Sequence, residues 1–291
     1  MTDDRSPLQG LENAGTRDWS PTGIDTSVAH PARVYDYLLD GKDNFEADRA
    51  VAEQLVAGSL PVRELARANR AFLGRAVKYL AEQGIDQFLD IGTGIPSANN
   101  THEVAQRVNP AARVVYVDND PIVLAHARAL MAGHGLGATT VILGDLRDPA
   151  AILAHPEVQA VIDFDRPVGL ILVAVLHFIG EEEHPDAIVK TLGDALPAGS
   201  HLVLSHGTMD TKPGSDSAVF DDIAEGAVRL YQQRVIAQAT PRSASRIHEL
   251  LTGFELVPPG LVPVPSWRPE GGEEQLLFDG VGVYGAVGRK L

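Results

Sequence analysis

The stretch Gln87-Phe88-Leu89-Asp90-Ile91-Gly92-Thr93-Gly94-Ile95-Pro96-Ser97 constrains this chain more than any other. An apolar run meets a glycine-rich turn. A helical pattern then begins near Asn100, with Glu103 three places on in the manner of a capping box. A buried strand, a tight turn and a helix in this order open a nucleotide-binding α/β unit. Gly92 and Gly94 carry no Cβ, so the backbone there can approach a ligand closely. Asp90 narrows the ligand. A turn that receives a pyrophosphate relies on the positive end of a helix, and a carboxylate beside it repels the anion. A ligand with cationic groups is attracted instead.

Beyond this unit, strand and helix patterns alternate. Strands are predicted over 87–91, 113–117, 139–143, 169–175 and 201–205. Asp120-Pro121 pairs a capping residue with a proline at the first helical position, and Gly133 stops that helix. A further helix is expected over 183–192. Such alternation builds a parallel sheet with helices on both faces. After residue 205 come an amphipathic helix over 217–239, a shorter one over 243–252, and strand candidates at 254–257 and 282–288. Upstream, 27–57 reads as helical with Gly41 as a stop. A helix over 62–83 follows, with Phe72, Ala76, Val77 and Leu80 at helical spacing and Gly84 at its end. Residues 1–24 are polar and rich in Gly, Pro, Asp and Thr, which predicts a mobile tail.

Asp90, Asp118 and Asp145 each follow a successive strand at its carboxyl end, where open α/β sheets bind ligands. An ionised carboxylate offers two acceptor oxygens, enough for both hydroxyls of a ribose. Asp120 takes the helix cap, which leaves Asp118 and its neighbour Asn119 for that contact. In Gly144-Asp145-Leu146 the carboxylate can accept from an adenine amino group while the Leu146 amide meets a ring nitrogen. A nucleoside with a cationic tail describes S-adenosylmethionine (SAM). Its terminal carboxylate calls for a cation, and Arg70 on the preceding helix carries a guanidinium able to pair with it bidentately. The cofactor-binding candidates are therefore Arg70, Asp90, Gly92, Gly94, Asp118, Asn119, Asp145 and Leu146.

The segments Tyr35-Asp36-Tyr37-Leu38-Leu39-Asp40-Gly41-Lys42-Asp43-Asn44-Phe45, Arg67-Ala68-Asn69-Arg70-Ala71-Phe72, 87–97 and Val115-Tyr116-Val117-Asp118-Asn119-Asp120-Pro121 resemble the actinobacterial S-adenosyl methyltransferase family, long catalogued as a domain of unknown function. The resemblance covers nearly the whole chain after the tail. It implies SAM binding and a Rossmann-like class I methyltransferase fold: a mostly parallel seven-stranded sheet with helices on both faces and an N-terminal helical cap. The predicted organisation is a tail at 1–24, the cap at 25–62, and a SAM-binding domain at 63–291 with a helical insertion at 207–240. The similar leucine carboxyl methyltransferase group holds the SAM carboxylate with an arginine before strand one. Arg70 is the nearest match, one residue out of register, and Arg67 is the alternative. The resemblance implies no particular acceptor.

Methyl transfer requires alignment and exclusion of water, and a base only where the acceptor must lose a proton. His177, past strand four, and His206, past strand five, are the candidate catalytic residues. Tyr35, Lys42 and Phe45 are candidates for a lid, as are Phe220, Arg229, Tyr231 and Arg234 on the 217–239 helix. His102, near a helix start, is a candidate neighbour of the SAM tail. No His-Glu-x-x-His metal pattern occurs, and the chain has no cysteine. After strand four the chain reads Val175-Leu176-His177-Phe178, unlike the Asn-Pro-Pro-Tyr type of DNA- and protein-amino methylating enzymes. A formal net charge of −15 argues against a nucleic-acid or anionic-membrane partner. The N-terminus shows no signal-peptide pattern, and the longest apolar run, 168–179, is too short to span a bilayer. A soluble, cytoplasmic enzyme acting on a small oxygen or nitrogen acceptor is expected. Two alternatives remain: an NAD-dependent oxidoreductase, from Gly92-x-Gly94-x-x-Ser97, and a SAM-binding sensor without catalysis.

Overall fold

Five strands form the parallel part of the sheet: β1 (Gln87–Ile91), β2 (Arg113–Asp118), β3 (Thr139–Leu143), β4 (Gly169–Val173) and β5 (His201–Gly207). Their apolar runs are nearly continuous because helices cover both faces. This computed structural model describes residues 25–58, 60–131, 137–211, 217–271 and 282–291. The predicted tail and the Gly133 stop lie outside those residues. Two late strands, β6 (Phe254–Leu256) and β8 (Val283–Lys290), complete the order β3-β2-β1-β4-β5-β8-β6. β8 runs antiparallel to both of its neighbours. The expected seven-stranded sheet gains an eighth member, the two-residue β7 (Val262–Pro263), which pairs with β8. The order reverses between β1 and β4, and a crevice opens at such a switch point.

The helices are α1 (Pro31–Leu38), α2 (Glu46–Ala57), α3 (Val62–Glu82), α4 (Thr101–Val108), α5 (Pro121–Met131), α6 (Pro149–Ala154), α7 (Pro156–Val161), α8 (Pro185–Asp194), α9 (Ser217–Arg234) and α10 (Ala244–Leu250). Successive strand residues point to opposite faces. Leu89, Ile91, Leu170, Leu172 and Leu204 thus pack with Ile188, Leu192 and Ile247. Phe88, Ile171 and Val203 pack on the other face with Phe72, Leu80 and Trp267. A third cluster, Val34, Leu38, Val51, Ala52, Leu55 and Val235, joins α1 and α2 to the end of α9.

Several boundaries differ from the sequence expectation. The N-terminal helical region splits because Asp40 is left-handed (φ 62°) and the Gly41 amide turns back to the Asp36 carbonyl at 2.8 Å. A Cβ on Gly41 would run into the Asp36 carboxylate, so the predicted stop has a steric cause. Strand four ends at Val173 rather than 175. Ala174 is left-handed (φ 55°), its amide donates to Ser205 Oγ at 3.0 Å, and Leu176–Phe178 form a 3-10 turn. Helix α9 stops at Arg234 because Val235 leaves it to bridge Ala29. The unforeseen α6 and α7 each begin with proline behind a capping side chain, Asp148 and His155. Among the described residues, no helix is long and apolar enough to cross a membrane.

Arg75 ties α3 to the C-terminal segment. Its Nε donates to the Trp267 carbonyl at 2.8 Å and its Nη2 to the Val264 carbonyl at 2.6 Å, all buried. Arg75→Ala removes both donors and leaves the Val264 carbonyl only the Trp267 amide at 3.3 Å. It is expected to lower unfolding free energy by about 2–4 kcal/mol. Denaturant unfolding checks this, and a change under about 0.5 kcal/mol would show the tie to be idle.

Candidate active site

The carboxyl ends of β1 to β4 open onto a cavity of about 720 Å3. All eight predicted cofactor-binding residues, Arg70, Asp90, Gly92, Gly94, Asp118, Asn119, Asp145 and Leu146, lie on its wall, and so does His177. Its lining also includes aliphatic side chains: Leu38 of α1, Leu55 of α2, Leu65 and Leu73 of α3, and Ala227 and Val228 of α9.

The glycine turn is shaped by its neighbours. Gly92 and Gly94 both have left-handed backbone (φ 77° and 66°). The Gly92 amide donates to the Val117 carbonyl at 2.8 Å, and a Cβ there would collide with Val175. The Gly94 amide donates to Asp118 Oδ2 at 2.8 Å, while the Asp120 amide donates to Oδ1 at 2.9 Å. Each Asp118 oxygen retains a lone pair for a further donor. Asp120 itself caps α5, accepting from the Ile122 amide at 2.9 Å. The cap expected of Asp120 is thus present, while Asp118 is engaged by two backbone amides.

Burial dominates the electrostatics. Asp90 accepts from the Thr101 hydroxyl at 2.6 Å and is 5% exposed. Burial pushes its carboxyl up to about 6, against the bond from Thr101 and the charge of Arg70. Asp118 is also pushed up to about 6 by burial, with the Asp120 and Asp90 charges adding to the effect. The site thus concentrates negative charge that a cation would relieve. Arg70 reaches over the turn to Asn100 Oδ1 at 2.8 Å. Arg67 instead pairs with the exposed Asp40 at 2.7 Å and is not on the cavity wall. Asn119 Nδ2 lies 3.4 Å from Asp145 Oδ2, so the predicted ribose and adenine positions adjoin.

The two candidate histidines come together, with ring centroids 5.6 Å apart, but they differ in setting. His177 is on the cavity wall, and its Nδ1 accepts from the Gly207 amide at 3.3 Å. Burial and then the Arg242 charge depress its pKa to about 4. His206 is fully buried, off the wall, with both ring nitrogens occupied. Nε2 lies 2.8 Å from Arg242 Nη1, and a guanidinium can only donate, so Nδ1 carries the proton to the Gly207 carbonyl at 2.7 Å. The structure therefore gives His206 no free nitrogen for a base, contrary to its sequence-based candidacy. Burial and the neighbouring His177 hold its pKa well below the usual value.

Arg242 and Arg33 escaped the sequence reading. Buried Arg242 clamps the 3-10 turn, donating to the Leu176 and Ile179 carbonyls at 3.0 and 2.8 Å and pairing with Glu181 at 2.6 Å. Arg33 of α1 stands 3.3 Å from Asp120 and 3.6 Å from Asp48. Of the lid candidates, Tyr35 reaches the wall and donates to the Ala66 carbonyl at 3.0 Å; Lys42 and Phe45 do not reach it. Exposed Arg229 pairs with Glu225. Arg234 is also exposed and off the wall. The Phe220 and Tyr231 side chains lie outside the described residues. His102 bonds Tyr116 instead of lining the cavity.

The S-adenosyl methyltransferase family model matches residues 17–291. The chain belongs to this family. Its SAM-dependent activity replaces the NAD-dependent alternative. A DUF574 family protein from Streptomyces avermitilis MA-4680 is similar in structure, with 41% identity, a TM-score of 0.84, and coverage of 92% of this chain and 99% of that one. A candidate methyltransferase from Thermobifida fusca YX has 42% identity and a TM-score of 0.83, covering 94% and 99%. No protein of curated function matches the chain. This methyltransferase has the class I fold.

The raised Asp90 carboxyl has a stability consequence. Its folded value of about 6 exceeds the ordinary 3.8, so the charge opposes folding above pH 6 and has little effect near pH 4. The ligand-free Asp90→Asn variant is expected to gain roughly 1–3 kcal/mol at pH 8 and almost nothing at pH 4. Denaturant midpoints at the two pH values check the sign; an equal shift at both would refute it.

Proposed function

We propose that this methyltransferase transfers the methyl group of SAM to a small, largely apolar acceptor at oxygen or nitrogen. The observation that carries the reading is the cavity lining, which joins carboxylates at the strand tips to aliphatic side chains from α1, α2, α3 and α9. The residues present fit SAM. In this reading Asp118 takes the ribose hydroxyls on its two remaining lone pairs, beside Asn119. Asp145 and the Leu146 amide take the adenine. Asp90 faces the cationic groups, Arg70 the terminal carboxylate, and the Gly92–Gly94 backbone lies against the ligand.

Bound SAM supplies a methyl carbon made electrophilic by its sulfonium. The chain's own contribution is to align the acceptor and keep water out. In this reading residues 25–62 are a cap, and the 207–240 insertion closes the acceptor end with Ala227 and Val228. The strongly acidic chain disfavours a nucleic-acid acceptor.

Calorimetric titration tests the site. SAM and S-adenosylhomocysteine are expected to bind at micromolar Kd, and NADH not to bind. Ligand at about 100 times Kd adds about 2.7 kcal/mol and raises Tm by roughly 5–10 °C. Asp118→Ala is expected to abolish both signals. Binding of NADH without SAM would defeat the assignment.

A further inference from the structure

We infer that His177 serves the acceptor as a neutral hydrogen-bond donor and not as a base, and that the acceptor presents an anionic oxygen on an apolar frame. The inference rests on the methyltransferase site proposed above. Its first support is the tautomer. The Gly207 amide can only donate, and it donates to Nδ1 at 3.3 Å. Nδ1 is therefore unprotonated, and the neutral ring carries its hydrogen on Nε2. No partner for Nε2 occurs among the described residues, and His177 lies on the cavity wall. That N–H is the ring's polar offering to a ligand.

The surroundings give the second support. A histidine base needs a group behind it that welcomes the extra charge, usually a carboxylate. Behind His177 stand the neutral ring of His206 and the Arg242 guanidinium. The carboxylate nearest in this network, Glu181, is already paired with Arg242 and Arg246 at 2.6 and 2.8 Å. Protonating His177 would thus place a second cation in a buried cluster that already holds one. The depressed pKa of about 4 agrees with this. The ring is also held in place. The Thr240 amide donates to the His177 carbonyl at 2.7 Å, and Arg242 grips the carbonyls on either side of the turn.

The acceptor chemistry follows. An alkylammonium must give up a proton before its lone pair is free, and His177 has no vacant nitrogen to receive it. A carboxylate arrives already deprotonated. Its oxygen forms the new O–C bond, the C–S bond breaks with its electron pair retained by sulfur, and no proton is released. The Nε2–H holds that oxygen through a charge-assisted bond. Leu38, Leu55, Leu65 and Val228 suit an aryl or alkyl body.

The test has two arms on the full chain. Long-range 1H–15N NMR of histidine-labelled protein, with His177 assigned through its loss in His177→Gln, reads the tautomer without ligand. An Nε2–H ring that stays neutral across roughly pH 5.5 to 8 is expected. An Nδ1–H ring, or protonation at an ordinary histidine value, overturns the donor role. In the second arm, protein saturated with S-adenosylhomocysteine is titrated with benzoate, 1-naphthoate and decanoate, each against the amine of the same frame. At least one carboxylate is expected to bind at least about tenfold more tightly than its amine. His177→Gln keeps the donor and should stay within about threefold, whereas His177→Leu should lose about tenfold. If no carboxylate outbinds its amine, the acceptor class is overturned. Failure of wild-type protein to bind S-adenosylhomocysteine would defeat the cofactor site and leave the tautomer result intact.

Discussion

The carboxylate of Asp118 is the constraint on which the site depends. Its two oxygens take the amides of Gly94 and Asp120, at 2.8 and 2.9 Å. One side chain thereby sets the glycine turn after β1 against the corner that leads from β2 into α5. The turn cannot drift without leaving a buried carboxylate short of a donor, which costs about 1–3 kcal/mol or more. The left-handed glycines and the packing of Gly92 against Val175 close the same loop from its other side. The cavity wall is therefore held in place at the strand tips by buried hydrogen bonds.

This rigidity carries an electrostatic cost that the ligand can relieve. Asp90 and Asp118 are both buried and both held near 6 by desolvation. Each would be more comfortable in water. The fold keeps them because tertiary packing elsewhere is sufficient, and a cation placed at Asp90, as proposed for SAM, would convert part of the cost into attraction. A pyrophosphate would have made it worse, which is why a single acidic residue two places before Gly92 separates this site from a dinucleotide fold of similar outline.

Much of the fold was legible because its signals are local. Strands buried on both faces read as unbroken apolar runs, and Asp120-Pro121 marked the start of α5. The same Asp-Pro signature stands at Asp148-Pro149, yet α6 and α7 are too short for periodicity to support it. β7 is two residues long and includes a proline, so no pattern could reveal it. In the site, the acids were legible because each stands at the carboxyl end of a strand. Arg242 and Arg33 were not, because their partners lie far away in sequence. A histidine at a strand end tells where its ring will be. It does not tell what occupies the nitrogens, and this is what separates His177 from His206.

The N-terminal pair of helices shows how far the dependence on Asp118 extends. Asp120, whose amide holds Asp118, sends its own carboxylate toward Arg33 of α1, and Arg33 also faces Asp48 of α2. The His30 amide and the Phe45 amide both donate to Asp48 at 2.9 Å. Yet Arg33 Nε and Nη1 lack aligned hydrogen bonds, and so does Asp120 Oδ2. A charge contact without aligned hydrogen bonds recovers little of the desolvation it incurs. The binding of α1 and α2 must then come mainly from Val34, Leu38, Val51, Leu55 and Val235. The charges add selectivity of position: lifting the pair away would expose two buried carboxylates and one guanidinium together. Apolar packing supplies the attraction, and the ion cluster fixes the one arrangement in which Asp120 still supports Asp118.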